Sequence, residues 1–161
     1  MTLEERSLAR DILDLQEGRG TVPVLDEAGA VALLVAARRI SIIGASPDRS
    51  RPSHAVMRYL AMRGYECVPV NPTCREVMGI NTFRTLEEAV QETGPFDIVD
   101  VFRRPEHAAT VARSAVSTGC RAIWLQLGVV SWAAARIARD GGLAVVMDRC
   151  TAIDARRIPA R

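Results

Sequence analysis

Two spacings of apolar residues alternate along this chain. Short apolar runs without helical period occupy positions 39–43, 67–70, 97–102, 122–125 and 143–147. Runs of that length, bounded by turn residues, predict strands buried on both faces. Between them apolar residues return at helical spacing: Val56, Tyr59 and Leu60 after Pro52; Leu86, Ala89 and Val90; Ala108, Val111, Ala112, Ala115 and Val116 after Pro105; Ile137 and Ala138 after Ser131. That spacing predicts amphipathic helices, which Gly64, Gly94-Pro95, Gly119 and Gly141-Gly142 bring to a stop. Upstream, Leu8, Ile12 and Leu15 predict a helix over 3–15, followed by a loop over 16–23. Asp26 is placed to cap a second helix with a stripe of Val31, Leu34 and Val35. A short edge strand is expected around Thr82-Phe83 and a last short helix over 152–157. Pro69 is awkward inside the second strand, because a central position would lose a ladder hydrogen bond there.

Strand and helix alternate from Ile40 to Met147, which specifies a parallel sheet with helices on both faces. Right-handed crossovers then make a doubly wound α/β/α sandwich of five to six strands, in the order 3-2-1-4-5-6. In that order Gly44-Ala45-Ser46 faces Val101-Phe102-Arg103 across the switch point. Residues 1–25 read as an N-terminal helical extension and 26–161 as the domain proper.

Composition narrows the picture only a little. The chain has 161 residues, enough for one domain with a core that needs no disulfide or metal. A formal charge of +2, from 21 basic and 19 acidic residues, gives no electrostatic reason to expect nucleic-acid binding. Glu4 and Glu5 follow Met1 where a secretory leader would be basic and then apolar. The longest uncharged stretch, 122–135, is shorter than the roughly 18 residues of a membrane span. A cytoplasmic protein without membrane partners is expected. Cys67, Cys74, Cys120 and Cys150 form no Cys-x-x-Cys pair, so metal ligation is not expected and the thiols read as free.

The chemistry concentrates where the first strand ends. Ile43 runs into Gly44-Ala45-Ser46-Pro47, and a helix begins near Pro52. A strand, a glycine turn and a helix N-terminus together suit a phosphate or pyrophosphate. The turn lacks Gly-x-Gly-x-x-Gly, and the second strand ends in Asn71 where a dinucleotide fold places Asp or Glu. Both features argue against NAD. No Gly-Lys-Ser/Thr is present, which excludes an NTP-hydrolysing loop. Arg49, Arg51, Arg103 and Arg104 surround the predicted mouth, and guanidinium forks bind phosphate oxygens bidentately. A pyrophosphate with one further phosphate, as in coenzyme A, meets that description.

Several stretches carry a family resemblance. They are Ile43-Gly44-Ala45-Ser46-Pro47, Arg51-Pro52-Ser53, Gly64-Tyr65, Val68-Pro69-Val70-Asn71-Pro72 and Asp100-Val101-Phe102-Arg103-Arg104-Pro105. Trp124-Leu125-Gln126-Leu127-Gly128-Val129 and Val146-Met147-Asp148-Arg149-Cys150 complete the set. Together they resemble the small stand-alone CoA-binding proteins of bacteria and archaea and, more distantly, the CoA-binding domain of the succinyl-CoA synthetase alpha subunit. The resemblance covers about residues 28 to 158. It implies a Rossmann-like domain with CoA along the carboxyl ends of its strands. Gly44, Ala45 and Ser46 would hold the pyrophosphate, and Arg51, with Pro52 and Ser53 beside it, would reach a phosphate. Asn71 and Pro72 would edge the nucleotide, and Val101, Phe102 and Arg103 would wall the crevice. Gln126 and Gly128 would lie near the pantetheine arm. The synthetase's phosphorylated histidine lies in a second domain with no counterpart here, so ligase activity is not implied.

Other residues keep two readings. Ser46 has no legible His–Asp partnership and reads as a phosphate ligand before a nucleophile. His54 touches ligand or is a surface residue, and His107 is expected in solvent. Trp124 reads as core, whereas Trp132 packs a helix entrance or a dimer face. Arg149 binds phosphate or pairs with Asp148, and Cys150 is structural or meets the CoA thiol. The leading function is a CoA or acyl-CoA binding protein without turnover of its own. A nicotinamide-dependent oxidoreductase, a CoA transferase fragment, and a CoA-responsive regulatory or scaffold module acting on a protein partner stay open.

Overall fold

The computed structural model of the chain describes residues 1–159. Two helices, α1 (Leu3–Gln16) and α2 (Glu27–Ala36), lead into β1 (Arg39–Ile43). There follow α3 (Pro52–Met62), β2 (Glu66–Val70), a small hairpin of β3 (Glu76–Val77) and β4 (Ile80–Asn81), and α4 (Leu86–Thr93). The chain then runs through β5 (Ile98–Val101), α5 (Pro105–Ser117), β6 (Ala122–Leu125), α6 (Trp132–Asp140), β7 (Ala144–Val146) and α7 (Thr151–Ala155). Five strands form one parallel sheet in the order β2-β1-β5-β6-β7. Helices α2, α3 and α7 cover one face, and α1, α4, α5 and α6 the other. This is the expected three-layer Rossmann-like sandwich.

The expected outermost strand is reduced to one parallel bridge between Val70 and Phe83. That remnant explains why Pro69 is tolerated. The Pro69 carbonyl accepts from Phe83 N–H on the outer edge, while Val70 O, one residue on, accepts from Gly44 N–H on the β1 side. The missing proline N–H therefore points to the side where almost no ladder exists, and the pairing with β1 loses nothing.

Small residues set the spacing of the helices. Ala108, Ala112 and Ala115 of α5 and Ala134, Ala135 and Ala138 of α6 are fully buried. Where α6 ends, a Cβ on Gly141 would come within 2.4 Å of Val116. No residue of α1 is fully buried, but Leu8, Ile12 and Leu15 pack on the core beside buried Val22. Leu25 N–H donates to Val145 O, which ties the segment before α2 to β7. Trp132 settles on this segment: a Cβ on Gly20 would lie 2.0 Å from its indole. Trp132 is the first residue of α6, so it packs that helix's entrance, one of its two readings. In α2, Ala30 and Leu34 face the core, whereas Val35 is 52% exposed. The expected stripe is displaced because α2 is apolar almost all round, so its periodicity does not choose a face.

Candidate functional site

The chain crosses from one face of the sheet to the other between β1 and β5, since α3 packs on one side and α5 on the other. A cleft of about 780 Å³ opens there, at the carboxyl ends of the strands. That volume is ordinary for a ligand site. The loop after β1 contributes Gly44, Ser46 and Arg51, the start of α3 contributes Pro52 and Ser53, and the loop after β2 contributes Asn71 and Thr73. Phe102, Arg103 and Arg104 follow β5; Gln126 and Gly128, with Leu127 and Val129, follow β6; Cys150 follows β7.

Three of the expected residues do not line the cleft. Ala45 and Val101 are wholly buried, and Pro72 turns into a neighbouring concavity with Thr85, Leu86 and Arg103. Ala45 still supports the site, because its carbonyl accepts from Asn71 Nδ2 at 2.8 Å. Arg49 and His54 lie on the outer side of α3, away from the cleft. His107 lines the concavity of Pro72 instead.

Gly44 has φ +83°, and a Cβ there would sit 2.6 Å from Phe102 O and 3.2 Å from Arg103 Cδ. Its bareness therefore lets the loops after β1 and β5 close on each other. Its amide donates to Val70 O at 2.9 Å and belongs to the sheet. The next two amides differ. Among the described residues, Ala45 N–H and Ser46 N–H have no hydrogen-bond acceptor. Ser46 Oγ accepts from Asp48 N–H at 3.1 Å, and Asp48 binds the amide and hydroxyl of Ser50. Those Ser50 donors hold the Asp48 carboxyl below its ordinary range. Arg51 is the N-cap of α3 without a capping side chain, and Pro52 is its first residue. Arg103 makes no ion pair among the described residues, while Arg51 and Arg104 make only long contacts of 3.9 and 4.0 Å.

The opposite wall is held by groups that are already paired. Asp100 is fully buried on β5; Gln126 Nε2 donates to its Oδ1 at 2.6 Å and Thr151 Oγ1 to its Oδ2 at 2.8 Å. Burial raises its pKa to about 7, against the pull of those two donors. This triad fixes the Gln126 side chain and the first residue of α7. Asp148, at φ +54°, accepts from Gly128 N–H at 2.7 Å. Trp124 is fully buried, and its Nε1 donates to Arg149 O at 2.8 Å. Arg149 takes neither of its expected roles. Its guanidinium forms a two-point pair with buried Asp154, both bonds 2.7 Å, and reaches Glu27 at 3.4 Å. The Asp154 hydrogen bonds raise its pKa further.

The sequence reading missed Thr73, Leu127 and Val129 on the cleft and Thr151 and Asp154 beneath it. Position alone would have marked the first three, since each follows a buried strand on the carboxyl side. Asp100 was marked only as part of a motif; a carboxylate in the middle of a strand buried on both faces demands partners and signals a network. Of the thiols, Cys67 and Cys120 are buried, and burial pushes Cys67 up to about 12.

The family described as CoA binding domain matches residues 38–156. Uncharacterized protein YneT of Bacillus subtilis (strain 168) is 37% identical over 118 residues, which span 73% of this chain and 85% of that one. The fold is also that of a hypothetical protein from Pyrococcus horikoshii OT3, with TM-score 0.77 at 28% identity over 83% of this chain and 92% of the other. A Thermus thermophilus structure described as cell-free ID.343 gives TM-score 0.75 at 32% identity over 83% and 98%. The match is to the CoA binding domain as a family rather than to the succinyl-CoA synthetase alpha subunit in particular.

Proposed function

The chain belongs to the CoA binding domain family, and from that premise we propose that its main cleft binds coenzyme A or an acyl-CoA and performs no chemistry of its own. The observation that carries this reading is the Ser46 amide, unpartnered among the described residues, on a cleft that Arg51 and Arg103 also line at the switch point. An unpaired main-chain donor costs free energy unless a ligand or solvent takes it, and arginines on the same cleft favour an anion there. A pyrophosphate suits that donor, and the 3′-phosphate falls to the arginines. Asn71 and Thr73 then edge the nucleotide: Thr73 Oγ1 donates to Asn71 Oδ1 at 2.7 Å, while the Asn71 amide holds Ala45 O. Pantetheine follows the loop after β6, past Gln126 and Gly128 toward Cys150.

The acid–base groups support binding over turnover. Neither His54 nor His107 lines the cleft, the Ser46 hydroxyl is engaged by Asp48 N–H, and Asp100 is sealed under Gln126 and Thr151. A nicotinamide cofactor is disfavoured because the second strand ends in an amide already committed to Ala45 and Thr73. Calorimetric titration tests the proposal. CoA is expected to bind, with dephospho-CoA about tenfold weaker, the equivalent of roughly one charge-assisted contact. NAD binding tighter than CoA would overturn it.

A further inference from the structure

A second concentration of positive charge lies outside the cleft, on the outer side of α3. His54, Arg58 and Met62 stand four residues apart on one stripe of that helix, with Tyr59 beside them. Arg49 comes to this stripe from the preceding loop and Arg156 from the end of α7. They form a concavity of about 370 Å³ whose lining, among the described residues, contains no carboxylate. It adjoins a second hollow of about 500 Å³ that shares Arg49, His54 and Arg58 and is bounded by the β3–β4 hairpin through Glu76 and Gly79.

The arginines here are not neutralised. Among the described residues, Arg49, Arg58 and Arg156 make no ion pair, whereas Arg157, the very next residue, is paired with Glu27 and lies 3.6 Å from Asp154. Arg156 is also held in place: its guanidinium lies over the Tyr59 ring, 5.4 Å from the centroid. That ring is steadied in turn by Arg63, whose Nη1 donates to the Tyr59 hydroxyl at 2.9 Å. Like charges gathered around one concavity repel one another, and a concave wall sharpens their field. All 21 basic residues of the chain are arginines, so each cation offers the planar fork that matches a phosphate oxygen pair.

We infer that this groove is a second anion site, separate from the main cleft, whose ligand is a condensed phosphate of two or three units, free or at the end of a nucleotide. Three guanidinium groups converge on it from two helices and a loop. Its ligand meets none of the residues assigned to CoA. The inference stands apart from the CoA reading.

Tripolyphosphate and ATP, titrated calorimetrically into the full-length protein, provide the test. The protein is compared with an Arg58→Ala/Arg156→Ala double variant and with Arg103→Ala in the main cleft. The double variant is expected to lose tripolyphosphate affinity at least tenfold and to keep its CoA affinity within twofold. CoA-saturated protein is expected still to take up one tripolyphosphate, and Arg103→Ala to leave that event unchanged. ATP binding at least tenfold tighter than tripolyphosphate would assign the site to nucleotides; equal or weaker binding would assign it to free condensed phosphate. Either outcome supports the site. Unchanged tripolyphosphate affinity in the double variant, or abolition of uptake by CoA, would overturn it. Should CoA itself fail to bind, the two variants still score tripolyphosphate without it, so the two readings fail separately.

Discussion

The two walls of the cleft are built on opposite principles. On the wall built by the loops after β1 and β5 the groups on the cleft are, among the described residues, unpartnered: the Ser46 amide, and arginines with at most long ionic contacts. On the β6–β7 wall nearly every polar group is engaged, through Asp100–Gln126–Thr151, Asp148–Gly128, Trp124–Arg149 and Arg149–Asp154. Donors intended for a ligand stay unpaired in the free protein, so they sit where solvent can reach their neighbours. Groups that only hold the shape can be buried, provided every one finds a partner. The first wall is expected to govern affinity and the second stability.

Gly44 joins the two regimes, and its replacement gives the largest effect. Gly44→Ala sets a side chain at φ +83° and drives its Cβ within 2.6 Å of a main-chain oxygen. Left-handed strain and the clash together are expected to cost about 3 kcal/mol or more. Urea denaturation would register that loss without any ligand present. A variant as stable as the wild type that had merely lost CoA binding would show Gly44 to be a ligand-wall residue after all.

Asp100 tests the sealed wall. With its pKa raised to about 7 from 3.8, the folded protein holds this proton more tightly than the unfolded chain does. Its contribution to stability is therefore full below about pH 4 and is lost as pH rises toward 7. Asp100→Asn removes the titration and leaves one of the two donors, Gln126 or Thr151, without an acceptor, at about 1–3 kcal/mol. Denaturation at pH 5 and pH 8 should show the gap between wild type and variant narrowing at the higher pH. A gap that widens would mean that Asp100 is ionised in comfort.

These contrasts bear on what could be read from residues alone. Strand positions, helix stops and the cap at Asp26 were legible because each is local: a run, a glycine, a side chain that accepts from an amide three residues on. The glycine turn after β1 was legible for the same reason. Pairing across the sheet was not. Arg149 was read against its neighbour Asp148, yet its partners are Asp154, five residues away, and Glu27, 122 away. Arg49 was placed at the mouth because it is close in sequence to Arg51, but the loop turns it to the far side of α3. Nearness in sequence predicts which loop a side chain stands on, not which way it points.

On the open wall, Arg103→Ala is expected to leave stability within about 0.5 kcal/mol, since the side chain makes no ion pair among the described residues. CoA affinity should fall roughly five- to thirtyfold, the range of one or two charge-assisted hydrogen bonds. A calorimetric comparison with dephospho-CoA sharpens this. If Arg103 meets the 3′-phosphate, the variant should no longer distinguish the two ligands.

The smallest effect belongs to Asp148. Its φ of +54° is uncommon for a residue with a side chain, and its carboxylate accepts from Gly128 N–H at 2.7 Å. Asn tolerates the same left-handed backbone and keeps an acceptor oxygen, so Asp148→Asn should shift stability by no more than about 0.5 kcal/mol. Asp148→Gly relieves the backbone but deletes the acceptor, and these terms oppose each other at about 1 kcal/mol each. Asp148→Ala keeps the strain and loses the bond, so it should be the least stable of the three by thermal melting. If Ala and Gly melt together, the backbone at this position carries no strain. The closing of the β6 and β7 loops would then rest on the Gly128 hydrogen bond alone.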